Sequence, residues 1–316
     1  ENFRNGVMDG LGISYETLRT DNPALVYVAV RGFGDERTGT SPMQAWPAYD
    51  VTVQALSGLM DLTGESDGPP MKVGPGVGDL IPGLFGVVGA LAALHRARET
   101  GEGDFVDVAM YDTLLTMLER PIYQYSYTGD VPSRQGNSHP LLNPFELYPT
   151  TDGWVSIAAP NDAHWAALCR AMARTDLVTD SRTADNASRL THRELVRDAL
   201  EGWTRSRSKA EIVEILGGRV PVAPVNTVAD VYADPHVIAR GMLAEVEHPG
   251  SRRPVTIVNS PLRFLSTPRQ PLRRAPLLGE HTSSVLQGLS LPAATETSQK
   301  EKTPGNASPT TKEMTR

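Results

Sequence analysis

Ala24-Leu25-Val26-Tyr27-Val28-Ala29-Val30 is a β-rich run with no polar alternation, the pattern of a strand covered on both faces, as in parallel sheets. Upstream, Tyr15 to Arg19 reads as a short helix stopped by Asn22-Pro23, since the residue before a proline is pushed out of helical geometry. A helix followed by a buried strand predicts an α/β sheet. Downstream, Gly32, Gly34, Gly39, Pro42 and Pro47 make residues 31–49 a loop. Asp50 to Met60 is helical by the spacing of Val51, Ala55, Leu56 and Leu59. A turn cluster over 64–70 and the glycines Gly74, Gly76 and Gly78 then lead to Asp79, where an apolar run begins. That run, Leu80 to Leu94, holds Pro82, Gly83, Gly86 and Gly89. It falls short of the ~20 residues needed to cross a bilayer and predicts a buried helix. Phe105 to Met110 follows as a strand and Asp112 to Arg120 as a helix.

A second region runs from about Pro140 to Pro224. Trp154 to Ala159 is its strand, Asp162 to Arg174 and His192 to Ser206 are amphipathic helices, and Val220 to Asn226 is an extended, proline-rich return. Asp234-Pro235 starts another helical turn. From Pro292 the composition shifts to Thr, Ser, Glu, Lys, Pro and Ala, which predicts disorder over 292–316. No internal repeat is visible.

With 30 Lys+Arg against 37 Asp+Glu, the 316-residue chain carries a formal charge of −7, so nothing draws it generally to nucleic acid or an anionic membrane. An anionic ligand therefore needs a local basic pocket. The single cysteine, Cys169, excludes an internal disulfide and a multi-cysteine metal site, and no metal is expected. Glu1-Asn2-Phe3-Arg4 lacks the basic-then-apolar order of a secretory signal, and a cytoplasmic location is expected.

The chain has no Walker A loop, His-Glu-x-x-His motif or Gly-x-Ser-x-Gly elbow, which argues against P-loop hydrolysis, zincin proteolysis and serine esterase chemistry. Gly74-x-Gly76-x-Gly78 and Gly101-x-Gly103 do not complete a dinucleotide fingerprint. Asp79 has two compatible readings. It can cap the helix that begins at Leu80, accepting a bond from an orphan N–H. It can also serve as a nucleophile: a carboxylate, unlike serine, needs no base, and flanking glycines admit a ligand close to the backbone. On spacing alone Tyr49 is a packing residue with its hydroxyl bonded. Arg4, Lys72, Arg96 and Arg98 are candidate phosphate contacts, and His139 lies in a loop that could reach a cleft.

Glu1-Asn-Phe-Arg4, Arg31-Gly-Phe-Gly34, Ala48-Tyr-Asp50 with Gln54-Ala-x-Ser-Gly58, Gly68-Pro-Pro70, Gly78-Asp79 with Gly83-Leu84, and Leu91-Ala-Ala-Leu-His95 to Thr100-Gly-x-Gly103 resemble class III CoA-transferases, the CaiB/BaiF family. Asp152-Gly153, Asp234-Pro235, Ala239-Arg-x-Met242 and Pro276 to His281 agree in type and order. The resemblance implies a Rossmann-like large domain with a smaller α+β domain, in two ring-shaped subunits interlocked as a homodimer. It divides the chain into a large CoA-binding domain over 1–135, a small domain over 136–225 and a return to the large domain over 226–291. Family members normally begin well upstream, which implies a chain that starts inside its large domain.

The resemblance further implies that Asp79 attacks an acyl-CoA thioester, giving an acyl-aspartyl anhydride and then an aspartyl-CoA thioester on the way to a carboxylic acid acceptor. Coenzyme A is then a co-substrate, and no cofactor is held permanently. Asn2, Phe3, Arg4, Ala48, Tyr49 and Asp50 would contact CoA, with Lys72 as a further CoA contact, and Gly136, Asn137 and His139 would meet the acyl substrates. The sequence departs from two branches of the family. Formyl-CoA transferases carry a glycine-run lid where this chain has Gly136 to Asn143, and α-methylacyl-CoA racemases have histidine where it has Tyr49. A phenol is a poor base at neutral pH, which favours transfer over a racemase-like isomerase; an inactive truncated remnant is the other alternative.

Overall fold

A computed structural model describes residues 1–289; the tail expected to be disordered lies outside them. The chain forms two compact units, Glu1–Val225 and the residues from Asn226 onward. The first unit opens with α1 (Val7–Gly10) and α2 (Tyr15–Asp21), followed by β1 (Val26–Arg31), α3 (Asp50–Leu56), α4 (Val77–Thr100), β2 (Asp104–Ala109), α5 (Met110–Thr116) and α6 (Glu119–Thr128). It continues with β3 (Phe145–Thr150), β4 (Gly153–Ala158), α7 (Asp162–Ala171), α8 (Asp176–Thr179), α9 (Asn186–Thr191), α10 (Arg193–Thr204), α11 (Lys209–Leu216) and β5 (Val222–Pro224).

β1 and β2 pair in parallel, from Val26 opposite Asp104 to Arg31 opposite Ala109. Both faces of β1 are covered, as its unbroken apolar run requires. On one face Val28 and Val30 meet α4 at Gly86. On the other, Tyr27 stacks on Phe105 at 5.4 Å and meets Tyr15 of α2 edge-on. Gly103 allows the turn into β2 to pass against Leu25, because a Cβ there would collide with the Leu25 carbonyl.

The helix α4 differs from its expectation in three ways. It spans 24 residues and is long and apolar enough to cross a bilayer by length and composition. Only a stripe of small residues, Gly78, Pro82, Gly86, Ala93 and Ala97, is buried, where it packs on β1, β2, α3 and α5. Leu80, Leu84, Val88 and Leu91 form an exposed opposite face. The expected buried helix is thus buried along one side only: small side chains let the strands come close, and the large ones find no cover within the described residues. Finally, the helix starts at Val77 with Gly76 as its cap, so Asp79 is the third helical residue and does not cap it.

In the rest of the first unit, β3, β4 and β5 form an antiparallel sheet. Tyr148, Val155 and Ile157 from that sheet join Trp165, Leu168, Val196, Leu200, Ile212 and Leu216 in one continuous core. A second, smaller cluster of Phe33, Val53, Met110 and Leu114 underlies the β1 and α4 region. In the second unit α12 (Val228–Ala233) precedes α13 (Pro235–Ala239), which Asp234 caps by accepting from His236 N and Val237 N. An antiparallel pair, β6 (Leu243–Val246) and β7 (Val255–Val258), and α14 (Thr282–Gly288) complete it.

Candidate active site

A cavity of about 1070 Å³ opens in the first unit between the N-terminal residues, the exit of β1 and the start of α4. The chain builds its walls by local pairing. Residue 1 lies along β1, with Glu1 N donating to Val28 O (2.8 Å) and Val30 N to Glu1 O (2.9 Å). This fixes Asn2, Phe3 and Arg4 on the cavity wall. Gly32 faces Ala48 so closely that a Cβ would strike the Ala48 side chain, and the contact brings Ala48 and Tyr49 to the same cavity. Asp79 lines the same cavity from the first turn of α4, exposed, with no hydrogen-bond partner for its carboxylate among the described residues.

Asn2, Phe3, Arg4, Ala48, Tyr49 and Asp79 therefore line one cavity. Tyr49 is 72% exposed, and among the described residues its hydroxyl makes no hydrogen bond. This overturns its reading as a packing residue: Tyr49 precedes α3, whose buried side chains are Val53 and Gln54. Asp50 and Lys72 do not line the cavity. The Asp50 carboxylate accepts from Gly78 N (2.7 Å) and from Gln54 Nε2. It thereby satisfies an orphan N–H in the first turn of α4, the task expected of Asp79. Lys72 Nζ donates to the carbonyls of Val73 and Gly74 (3.3 and 3.1 Å). Gly136, Asn137 and His139 also lie off the cavity lining. Gly136 N bonds Gly64 O (3.0 Å), and the His139 ring packs on Phe145 at 5.0 Å. Burial and the nearby cations of Arg120 and Arg193 hold the His139 imidazole below its ordinary pKa.

The charge around the cavity is mostly committed elsewhere. Arg31 is buried against Glu1 (2.8 Å), Asp35 and Asn5. Arg37 binds Asp9 (2.6 Å), Glu16 (2.7 Å) and Asp35 (3.1 Å). Its bond to Glu16 pulls that carboxyl down to about 2. Arg96 is likewise paired, with Asp104 at 3.1 Å. Of the arginines on the cavity wall, only Arg4 has no side-chain partner among the described residues, which leaves it to meet an anionic ligand. Arg31, Asp35 and Arg37 on the wall were not among the expected site residues, although Arg31 and Gln54 stand in the blocks that carry the family resemblance.

The α/β protein thus carries, on one cavity, a carboxylate with no internal partner among the described residues, an arginine without a side-chain partner and an exposed aromatic ring, groups suited to a polar, anionic ligand. The chain belongs to CoA-transferase family III, whose family model matches residues 1–282, and it is an enzyme of that transferase class. It is 49% identical over 286 residues to the succinyl-CoA:mesaconate CoA-transferase of Haloarcula marismortui, covering 90% of this chain and 72% of that protein. It is 36% identical to the succinate–glutarate CoA-transferase of Agrobacterium fabrum, over 92% of this chain and 71% of the relative. A solved CAIB/BAIF family protein from Brucella suis superposes with a TM-score of 0.80 at 34% identity, over 92% of this chain and 74% of that structure.

Proposed function

We propose that the enzyme moves CoA from an acyl-CoA thioester to a carboxylic acid through covalent intermediates on Asp79. The observation that carries this reading is the exposed Asp79 carboxylate on the cavity wall, with no internal partner among the described residues. An Asp79 oxygen attacks the thioester carbonyl; the C–S bond breaks, CoA leaves as thiolate, and a mixed anhydride remains. The thiolate then attacks the aspartyl carbonyl, releasing the donor acid and leaving aspartyl-CoA. The acceptor carboxylate displaces the thiolate to form a second anhydride, whose acceptor carbonyl the thiolate captures, regenerating Asp79. No net proton is gained or lost, so no general base is needed. Anhydrides hydrolyse, and water must be kept out during turnover.

Asn2, Phe3, Ala48 and Tyr49 contact CoA, with Arg4 on a CoA phosphate. The names of the relatives support small dicarboxylic acids as the acids exchanged, with a succinyl-CoA-type donor. The working form is a homodimer. The exposed apolar face of α4 supports it, since contiguous apolar surface of that kind marks an interface. A membrane span fits less well, because the first turn of α4 puts Asp79 on a cavity that Arg4, Arg31 and Arg37 also line.

The test is Asp79→Ala with mass spectrometry of enzyme quenched in mid-reaction. Transfer should be abolished, and hydroxylamine should modify Asp79 of the parent only when an acyl-CoA is present. Transfer at an unchanged rate in the variant would refute the reading.

A further inference from the structure

The segment 73–78 that delivers Asp79 contains Gly74, Gly76 and Gly78, a composition that loses much conformational freedom when it is fixed. It is nevertheless tied at both ends to one face of α3. At its start, Val73 N donates to Gln54 Oε1 (2.9 Å). At its end, Gly78 N donates to Asp50 Oδ1 (2.7 Å). Gln54 closes the loop of bonds, its Nε2 donating to Asp50 Oδ1 and Oδ2 (2.9 and 3.0 Å). Asp50 and Gln54 are four residues apart on α3, so both point to the same side. Gly78 is packed in this clamp: a Cβ on it would come within 2.7 Å of Val53 Cγ2 and 2.9 Å of Asp50 Oδ1.

We infer that Gln54 is a positioning residue for the transfer reaction, clamping the segment 73–78 so that the Asp79 carboxylate is held at the angle of attack. The inference rests on Asp79 being the acylated nucleophile. Gln54 is 0% exposed and does not line the cavity, so it acts through the backbone at Val73 and through Asp50, not on substrate. Its orientation is forced, because only the carbonyl end can accept from Val73 N and only the amino end can donate to a carboxylate. Buried bonds of this kind hold geometry because no water replaces them when they break.

The experiment measures the rate at which the acyl adduct forms on Asp79, by rapid quench with succinyl-CoA and mass spectrometry, beside the dissociation constant for CoA and the thermal midpoint. Gln54→Glu keeps the shape and the acceptor for Val73 N but sets a carboxylate against Asp50. Adduct formation should fall about tenfold or more, as displacements near 1 Å do, with CoA affinity unchanged. The double variant Asp50→Asn with Gln54→Glu restores a donor–acceptor pair between the two side chains and should acylate at least threefold faster than Gln54→Glu alone. Gln54→Met, of similar volume and without either bond, should show the same loss and serves if Gln54→Glu does not fold. Acylation at the parent rate in Gln54→Glu or Gln54→Met, or no gain in the double variant, overturns the inference and leaves the Asp79 reading standing. Absence of an adduct in the unsubstituted enzyme during turnover would instead retire the nucleophile itself, and the inference with it.

Discussion

Because the Tyr49 hydroxyl makes no hydrogen bond among the described residues, Tyr49→Phe removes no internal bond. The thermal midpoint should hold while turnover weakens without disappearing; complete loss of turnover would give the phenol an essential role. No deuterium should enter the α carbon of a branched acyl-CoA, since a phenol is a poor base at neutral pH. Asp107 offers a pH test. Burial raises its pKa, outweighing the bond from Thr38 Oγ1 and the charge of Arg31. Folding therefore takes up protons between the ordinary carboxylate range and that raised value, and the fold loses stability as pH climbs through the window. Asp107→Asn keeps an oxygen for Asp35 N and the Thr38 hydroxyl, so its thermal midpoint relative to the parent should rise as pH climbs above the ordinary carboxylate range. Cys169 is fully buried and its thiol is pushed up to about 12 by burial, so a maleimide should label it only after unfolding. At this scale Asp79 stood out as a candidate because it sits between glycines and an apolar run, although the helix begins two residues before it. The duties of Asp50 and Gln54 were not, since a bond between α3 and a segment some twenty residues on leaves no trace in local spacing.

Among the elements, α4 rests on the absence of side chains along its inner stripe. At Gly89 a Cβ would come within 2.6 Å of Val106 Cγ1 on β2, so Gly89→Ala should cost about 1–3 kcal/mol through overpacking, read as a lower thermal midpoint. An equal midpoint would mean that strand and helix can separate freely. The strand over 24–30 was visible in its unbroken apolar run and the helices α7 and α10 in their amphipathic spacing, because the strand is covered on both faces and each helix buries one regular face. α6 was not. Pro121 reads as the end of a helix running from Asp112, whereas the chain breaks at Met117 and Pro121 falls in the first turn of the next helix, where the missing N–H costs nothing. The true start of α4 was hidden for a related reason: Gly76-Val77-Gly78 has no helical preference of its own, and the Asp50 carboxylate supplies the missing cap.

For the whole molecule, light scattering should report a dimer. Leu84→Glu combined with Leu91→Glu, both on the exposed face of α4, should shift it to monomers without lowering the solubility of the chain; an unchanged mass would move the interface elsewhere. The family and its fold were readable because many short blocks recur in order. The apolar face left open on α4 was not, because sequence hydrophobicity does not say whether the cover comes from the same chain or another. That face and Asp79 belong to one continuous helix. A second copy seated on its outer side would brace the same helix that carries the nucleophile, so the specific activity of this enzyme should decline on dilution, with a recovery lag after reconcentration that tracks reassociation of the halves.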